Sequence, residues 1–181
     1  MKYNIFNTSF FFHYKCPNSK EFIEKIDSES AIDNSKFEWG ENCEVNRIPV
    51  KLDDYFALLK PSLDLLSGEL GRAFGIKNAE AWVNLYDRGS FQEAHHHHPY
   101  DLICVLFLNE GEDFSEFYFK DRHNVELSFF WHDSLDVYDC IKPKICSGDI
   151  IFFPGHILHG VTAHKSDTIR KTFACNMLLK Y

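Results

Sequence analysis

With 181 residues the chain is long enough to bury a full hydrophobic core without disulfides, and one domain is the expectation. Its 27 acidic against 19 basic residues give a formal charge of −8, and with no local cluster of lysine and arginine this disfavours nucleic acid as a partner. No apolar run approaches a bilayer span, no signal-peptide pattern opens the chain, and six cysteines without a CxxC pair fit a soluble protein with reduced thiols in a cytoplasm.

In chain order, residues 3–13 read as a short extended piece and 19–27 as a helix. A longer helix is predicted over 52–72, where Leu52, Tyr55, Phe56, Leu59, Leu63, Leu66 and Leu70 recur at three- and four-residue steps. Pro61 is expected to kink or split it, Gly71 and Gly75 to end it, and its apolar stripe to face a sheet from outside. From residue 79 the pattern changes to short β-branched and aromatic runs at 81–86, 102–108, 116–119, 125–131, 150–153 and 168–179. Turn chemistry separates them at 109–111, 121–124 and 147–149. Six such runs, in a chain with 18 Phe, 8 Tyr and 3 Trp, point to a mainly β fold of sandwich or barrel type. With no internal repeat and no linker, residues 1–181 are expected to form a single domain, a mixed helical lead-in over 1–78 and a β core over 79–181.

The run His95-His96-His97-His98 lies inside the chain, between a glycine turn at Gly89 and the strand beginning near Leu102. In an extended segment residues two apart share a face, so either His95 with His97 or His96 with His98 points inward. Two such imidazoles can share one metal ion at the usual distance of roughly 2.0–2.1 Å. A lone His-x-His is more often a pair of solvated side chains at a strand end. Here a further metal-type residue follows a buried strand, at His156 or His159. Beyond it, Arg170, Thr172, Ala174 and Asn176 fall on one face of an otherwise apolar strand, where a guanidinium needs a buried anion.

The string from Tyr86 to His97, Gly148 to Pro154, His159-Gly160-Val161 and Arg170 with Thr172 resembles the prolyl-hydroxylase-like 2-oxoglutarate/Fe(II) oxygenases. The likeness is specific from Ala79 to Asn176 and weak before it. It implies an α+β, mainly β fold, a double-stranded β-helix of jelly-roll or cupin-like form with the N-terminal helices outside the barrel. It implies Fe(II), 2-oxoglutarate and dioxygen as cofactor and co-substrates, with His95 as first metal ligand, His97 as second and His159 as the distal one. Arg170 is then the partner of the distal 2-oxoglutarate carboxylate, a bidentate task suited to a guanidinium, with Thr172, Tyr86, Asn84 and Asn176 beside it. The implied reaction is oxidative decarboxylation to succinate and CO2, coupled to hydroxylation of a C–H bond in a peptide or small-molecule substrate. Prolyl hydroxylation is one possibility by analogy alone.

One departure stands out, because the family commonly has His-x-Asp where this chain has His95-x-His97. A neutral imidazole cancels no metal charge, and the site would carry one more positive charge or favour another metal such as zinc. Asp101 is a distant substitute for the missing acid. Two rival readings remain: a three-histidine cupin-like metal protein that does not use 2-oxoglutarate, and a structural jelly roll with decorative histidines. The acidic segments 109–115 and 132–139 are candidate lids, and an acidic rim would suit a cationic or neutral substrate.

Overall fold

The computed structural model describes residues 9–29, 36–38, 43–121 and 140–180. In chain order these form β1 (Phe12–Lys15), α1 (Ser19–Glu29), β2 (Lys36–Glu38), β3 (Cys43–Val50), α2 (Leu52–Leu70), β4 (Gly75–Tyr86) and β5 (Phe91–His95). They continue with β6 (Leu102–Phe107), β7 (Phe117–Lys120), β8 (Cys140–Ile141), β9 (Asp149–Pro154), β10 (His159–Val161) and β11 (Arg170–Lys180). The strands lie in the order β1-β9-β6-β11-β4-β3-β5-β10-β7-β8, with β2 paired to β3. Every pair is antiparallel. This curled sheet is the expected double-stranded β-helix.

Alternation along the central strands sorts their side chains into two cores. Val83 and Leu85 of β4, Cys104 and Leu106 of β6, Ile150 and Phe152 of β9, and Phe173, Cys175 and Met177 of β11 face one side. Trp82 and Tyr86, Ile103 and Val105, Ile151 and Phe153, and Ala174 face the other. A period of two produces this division, since successive residues of a strand point to opposite faces. The helices cover the first side: Phe22 of α1 and Tyr55 of α2 stack at 5.2 Å, and their rings lie 4.8 and 5.7 Å from Phe173. The second side is the barrel interior.

Several boundaries differ from the sequence expectation. Pro61 sits inside α2 without ending it. Tyr55 and Leu59 before it, and Leu63 and Leu66 after it, are all buried, and this packing on both sides outweighs one missing backbone hydrogen bond. α2 ends where expected: Gly71 adopts φ 61°, and the N–H groups of Gly71 and Arg72 close on the Gly68 and Ser67 carbonyls. β4 starts at Gly75, so the boundary placed at residue 78 falls inside a strand. The lead-in also supplies β1, β2 and β3 to the sheet, not only helices. Of the extended piece expected over 3–13, the described residues show a strand from Phe12, and residues 1–8 lie outside the described residues. The expected strand 125–131 and the acidic segment 132–139 also lie outside them.

Candidate metal and anion site

β5 ends at His95, β10 begins at His159, and the two are register partners. Strand pairing alone therefore sets their imidazoles side by side, with ring centroids 4.5 Å apart. His97 lies two residues past the end of β5, where its N–H donates to the Gly155 carbonyl at 2.8 Å and ties it to the turn after β9. Gly155 is required there, because a Cβ would stand 2.1 Å from the Tyr100 carbonyl oxygen. The His97 ring is 5.0 Å from each of the other two. One ring nitrogen from each histidine lies within 4.8 Å of the others, a group able to hold a metal ion.

The second nitrogens decide which atoms face inward. His95 Nδ1 is 2.7 Å from the Glu93 carbonyl and His159 Nδ1 is 3.0 Å from the Ile157 carbonyl. A carbonyl only accepts, so both Nδ1 atoms carry protons and both Nε2 lone pairs are left for a ligand. His97 Nδ1 is 3.1 Å from the Asn176 amide nitrogen, while the buried Asn176 Oδ1 has no partner. Turning that amide over offers Oδ1 to a proton on His97 Nδ1 and gives all three rings the same tautomer. Burial pushes the three pKa values down, His97 to about 3 and His159 well below the usual range, and the neighbouring imidazoles add to the effect. Three neutral nitrogen donors result, the form in which imidazole binds metals.

Along β11 the same interior face carries the anion end. Arg170 is only 4% exposed, and its guanidinium carbon lies 4.8 Å from the Tyr86 ring centroid and 5.5 Å from that of Phe107. Its Nη1 is buried with no hydrogen-bond partner, and no carboxylate pairs with it among the described residues. Beside it, Trp82 Nε1 donates to Asn84 Oδ1 at 2.9 Å and Asn84 Nδ2 donates to Thr172 Oγ1 at 3.2 Å. Thr172 also bonds the Tyr86 phenol, which donates to Gln92 Oε1 at 2.6 Å. Arg170, Trp82, Asn84, Thr172, Tyr86 and Gln92 line one pocket with the three histidines.

Each residue expected at the site is thus in the interior: His95, His97, His159, Arg170, Thr172, Tyr86 and Asn84 line the pocket, and Asn176 touches His97. His96, His98 and His156 are exposed. Asp101 is not the missing acid, because its Oδ2 accepts the Leu179 N–H at 2.8 Å on the outside of the sheet. Segment 109–115 lines a second cavity that shares Arg170 with the first. Among the lining residues with charged or amide side chains, Gln92 and Arg47 escaped the sequence reading. Arg47 had a signal: Cys43 and Val45 of β3 are buried in the interior core, and the next residue in that alternation is Arg47.

Residues 80–176, more than half of the chain, match the family model described as "Putative 2OG-Fe(II) oxygenase", where 2OG is 2-oxoglutarate, and the chain belongs to that family. Its members are oxidoreductases that use iron(II) and 2-oxoglutarate. No curated protein matches the chain. Among solved structures, the chain is similar to a Pseudomonas putida prolyl-4-hydroxylase at 15% identity and a TM-score of 0.63, over 96% of this chain and 95% of that one. A 2OG-Fe(II) oxygenase family oxidoreductase from Burkholderia pseudomallei aligns at 14% identity and a TM-score of 0.64, covering 93% and 84% of the two chains. HygX from Streptomyces hygroscopicus, with nickel and 2-oxoglutarate bound, aligns at 14% identity and a TM-score of 0.59, covering 93% and 83%. At these identities the likeness is one of fold.

Proposed function

We propose that His95, His97 and His159 hold iron(II) through Nε2, and that Arg170 and Thr172 bind the distal carboxylate of 2-oxoglutarate, with Tyr86 and Asn84 framing it. The reaction is hydroxylation of a C–H bond in a peptide or small-molecule substrate, with release of succinate and CO2. The carrying observation is Arg170, a buried cation with an unpartnered Nη1 and no carboxylate beside it among the described residues. Such a group is costly to bury unless an anion meets it.

The metal and co-substrate, when bound, supply the oxidising chemistry from dioxygen. The chain's residues place and shield it. Carbonyls at Glu93 and Ile157 hold two imidazoles in the ligating tautomer. Phe117 and Phe153, with ring centroids 5.6 and 4.7 Å from His159, keep water from that side of the metal position. Arg170 presents a planar fork that fixes the dicarboxylate's direction, with Thr172 oriented by its bond from Asn84. A metal-binding barrel without 2-oxoglutarate leaves Arg170 with no role. A reducing, cytoplasmic setting is supported by six free cysteines, four of them buried. Among the described residues no helix is long and apolar enough to cross a membrane.

The test is incubation of iron-loaded protein with 2-oxoglutarate and oxygen, following succinate with and without candidate peptides. Succinate formation above a metal-free control is expected. Metal-loaded protein that neither binds 2-oxoglutarate nor forms succinate would sink the proposal.

A further inference from the structure

The pocket is cationic out of proportion to the chain. Its lining contains Arg47, Arg170 and three histidines and, among the described residues, no aspartate or glutamate. The whole protein carries a formal charge of −8. The 2-oxoglutarate dianion accounts for Arg170, and Arg47 is a second cationic side chain in the same lining.

Arg170 is accounted for by the co-substrate of the proposed function. Arg47 is placed differently. It comes from β3 in register with Asn84, which is in turn in register with Thr172, so the three form a row across β3, β4 and β11. Residues directly opposite one another in a sheet share a face, and Arg47 enters the interior from the strand next to the metal position. Its guanidinium carbon is 3.6 Å from the Trp82 ring centroid, and that ring is 6.1 Å from His97. Stacking engages the flat face of the guanidinium and leaves its five N–H donors in the plane, more than one carboxylate can use. The Glu80 carboxylate lies near enough to act on Arg47, but Glu80 is exposed and outside the pocket lining. Arg47 itself is half-buried, where Arg170 is sealed.

We infer that Arg47 binds an oxyanion of the substrate, a carboxylate or a phosphate, and so restricts this oxygenase to anionic substrates. The inference rests on the proposed function and names its substrate class. It replaces the expectation of a cationic or neutral substrate drawn from acidic loops, since no described acid reaches the pocket lining.

The test uses the full chain loaded with nickel, which is redox-inert here, and saturated with 2-oxoglutarate. Inorganic phosphate is titrated in by calorimetry, with 2-oxoglutarate and nickel affinities measured in parallel. Wild type is expected to bind phosphate. Arg47→Gln should weaken phosphate at least about tenfold, since charged hydrogen bonds are lost, while 2-oxoglutarate and nickel affinities stay as they were. Arg47→Lys should recover part of the loss, because a point charge replaces the fork only partly. Phosphate that binds wild type and Arg47→Gln alike, or does not bind wild type, overturns the inference and leaves the proposed function standing. So does a loss of 2-oxoglutarate affinity in Arg47→Gln comparable to that in Arg170→Met, which would make Arg47 part of the co-substrate site. A wild type that takes nickel but no 2-oxoglutarate overturns the proposed function and this inference with it.

Discussion

β11 has two faces that are equally buried and chemically opposite. Phe173, Cys175 and Met177 are 0% exposed on one face, and Arg170, Thr172, Ala174 and Asn176 are between 2% and 4% exposed on the other. The first face meets the helices through rings and methyl groups, and every atom has what it needs. On the second, Arg170 Nη1 is buried without a partner, and Asn176 is engaged with His97. Burial alone therefore does not separate core from site. The separation lies in unmet hydrogen-bonding capacity, which destabilises the empty fold and is available to a ligand.

The largest effect expected from breaking this comparison is on the apolar face. Phe173→Ala should cost about 3–5 kcal/mol in urea unfolding, as for other buried phenylalanines, while the nickel affinity of the folded protein is retained. A parallel loss of metal affinity would mean that the faces are not independent. Next come the ligands: His95→Ala, His97→Ala and His159→Ala should each weaken nickel by more than the roughly 10–100-fold expected for loss of a ligand's outer partner. His96→Ala and His98→Ala should leave it unchanged, and His97→Asp should keep metal binding by restoring two histidines and a carboxylate. Sensitivity at His96 and His98 instead would shift the ligand set by one residue.

Arg170→Met sharpens the comparison by making the interior face as apolar as the outer one. Its 2-oxoglutarate affinity should fall at least about tenfold, from charged hydrogen bonds worth roughly 1.5–3 kcal/mol each, with nickel binding intact. The empty protein should melt at a higher temperature than wild type, since a buried cation with no carboxylate beside it among the described residues is gone. A lower melting temperature would show the guanidinium to be internally satisfied. The smallest effect is at Asn176, where Leu should weaken nickel about tenfold and Asp should strengthen it by accepting the His97 Nδ1 proton more firmly. Weakening by both would reduce Asn176 to a space-filling role.

The strands most visible in the sequence include two that are buried on both faces. β6 and β9 read as near-continuous apolar runs, LICVLF and DIIFFP, which cannot be mistaken for loops. β3, β5 and β10 were missed because their sequences carry little hydrophobic alternation. β3 contains Asn46, Arg47 and Pro49, β5 contains Gln92 and Glu93, and β10 is three residues long with Gly160 at its centre. Polar residues interrupt the hydrophobic alternation of β3 and β5, and two of them, Arg47 and Gln92, line the pocket, while β10 is too short to show a pattern. The histidines and Arg170 were legible through spacing and family resemblance. Arg47 was not, because it lies in a lead-in where the resemblance is weak and where a mixed helical segment was expected.

The place of β11 also bears on how the chain is made. Among the described strands it is the last in sequence, yet it sits between β4 and β6 and pairs with both along most of its length. A ribosome releases β4 about a hundred residues before β11. For that interval β4 and β6 each present an open edge with no neighbour to close it, and β6 throughout and β4 in its second half carry side chains destined for burial. The nascent chain therefore depends on the helices, or on a chaperone, to keep those edges from pairing with other chains until the strand bearing Arg170 arrives.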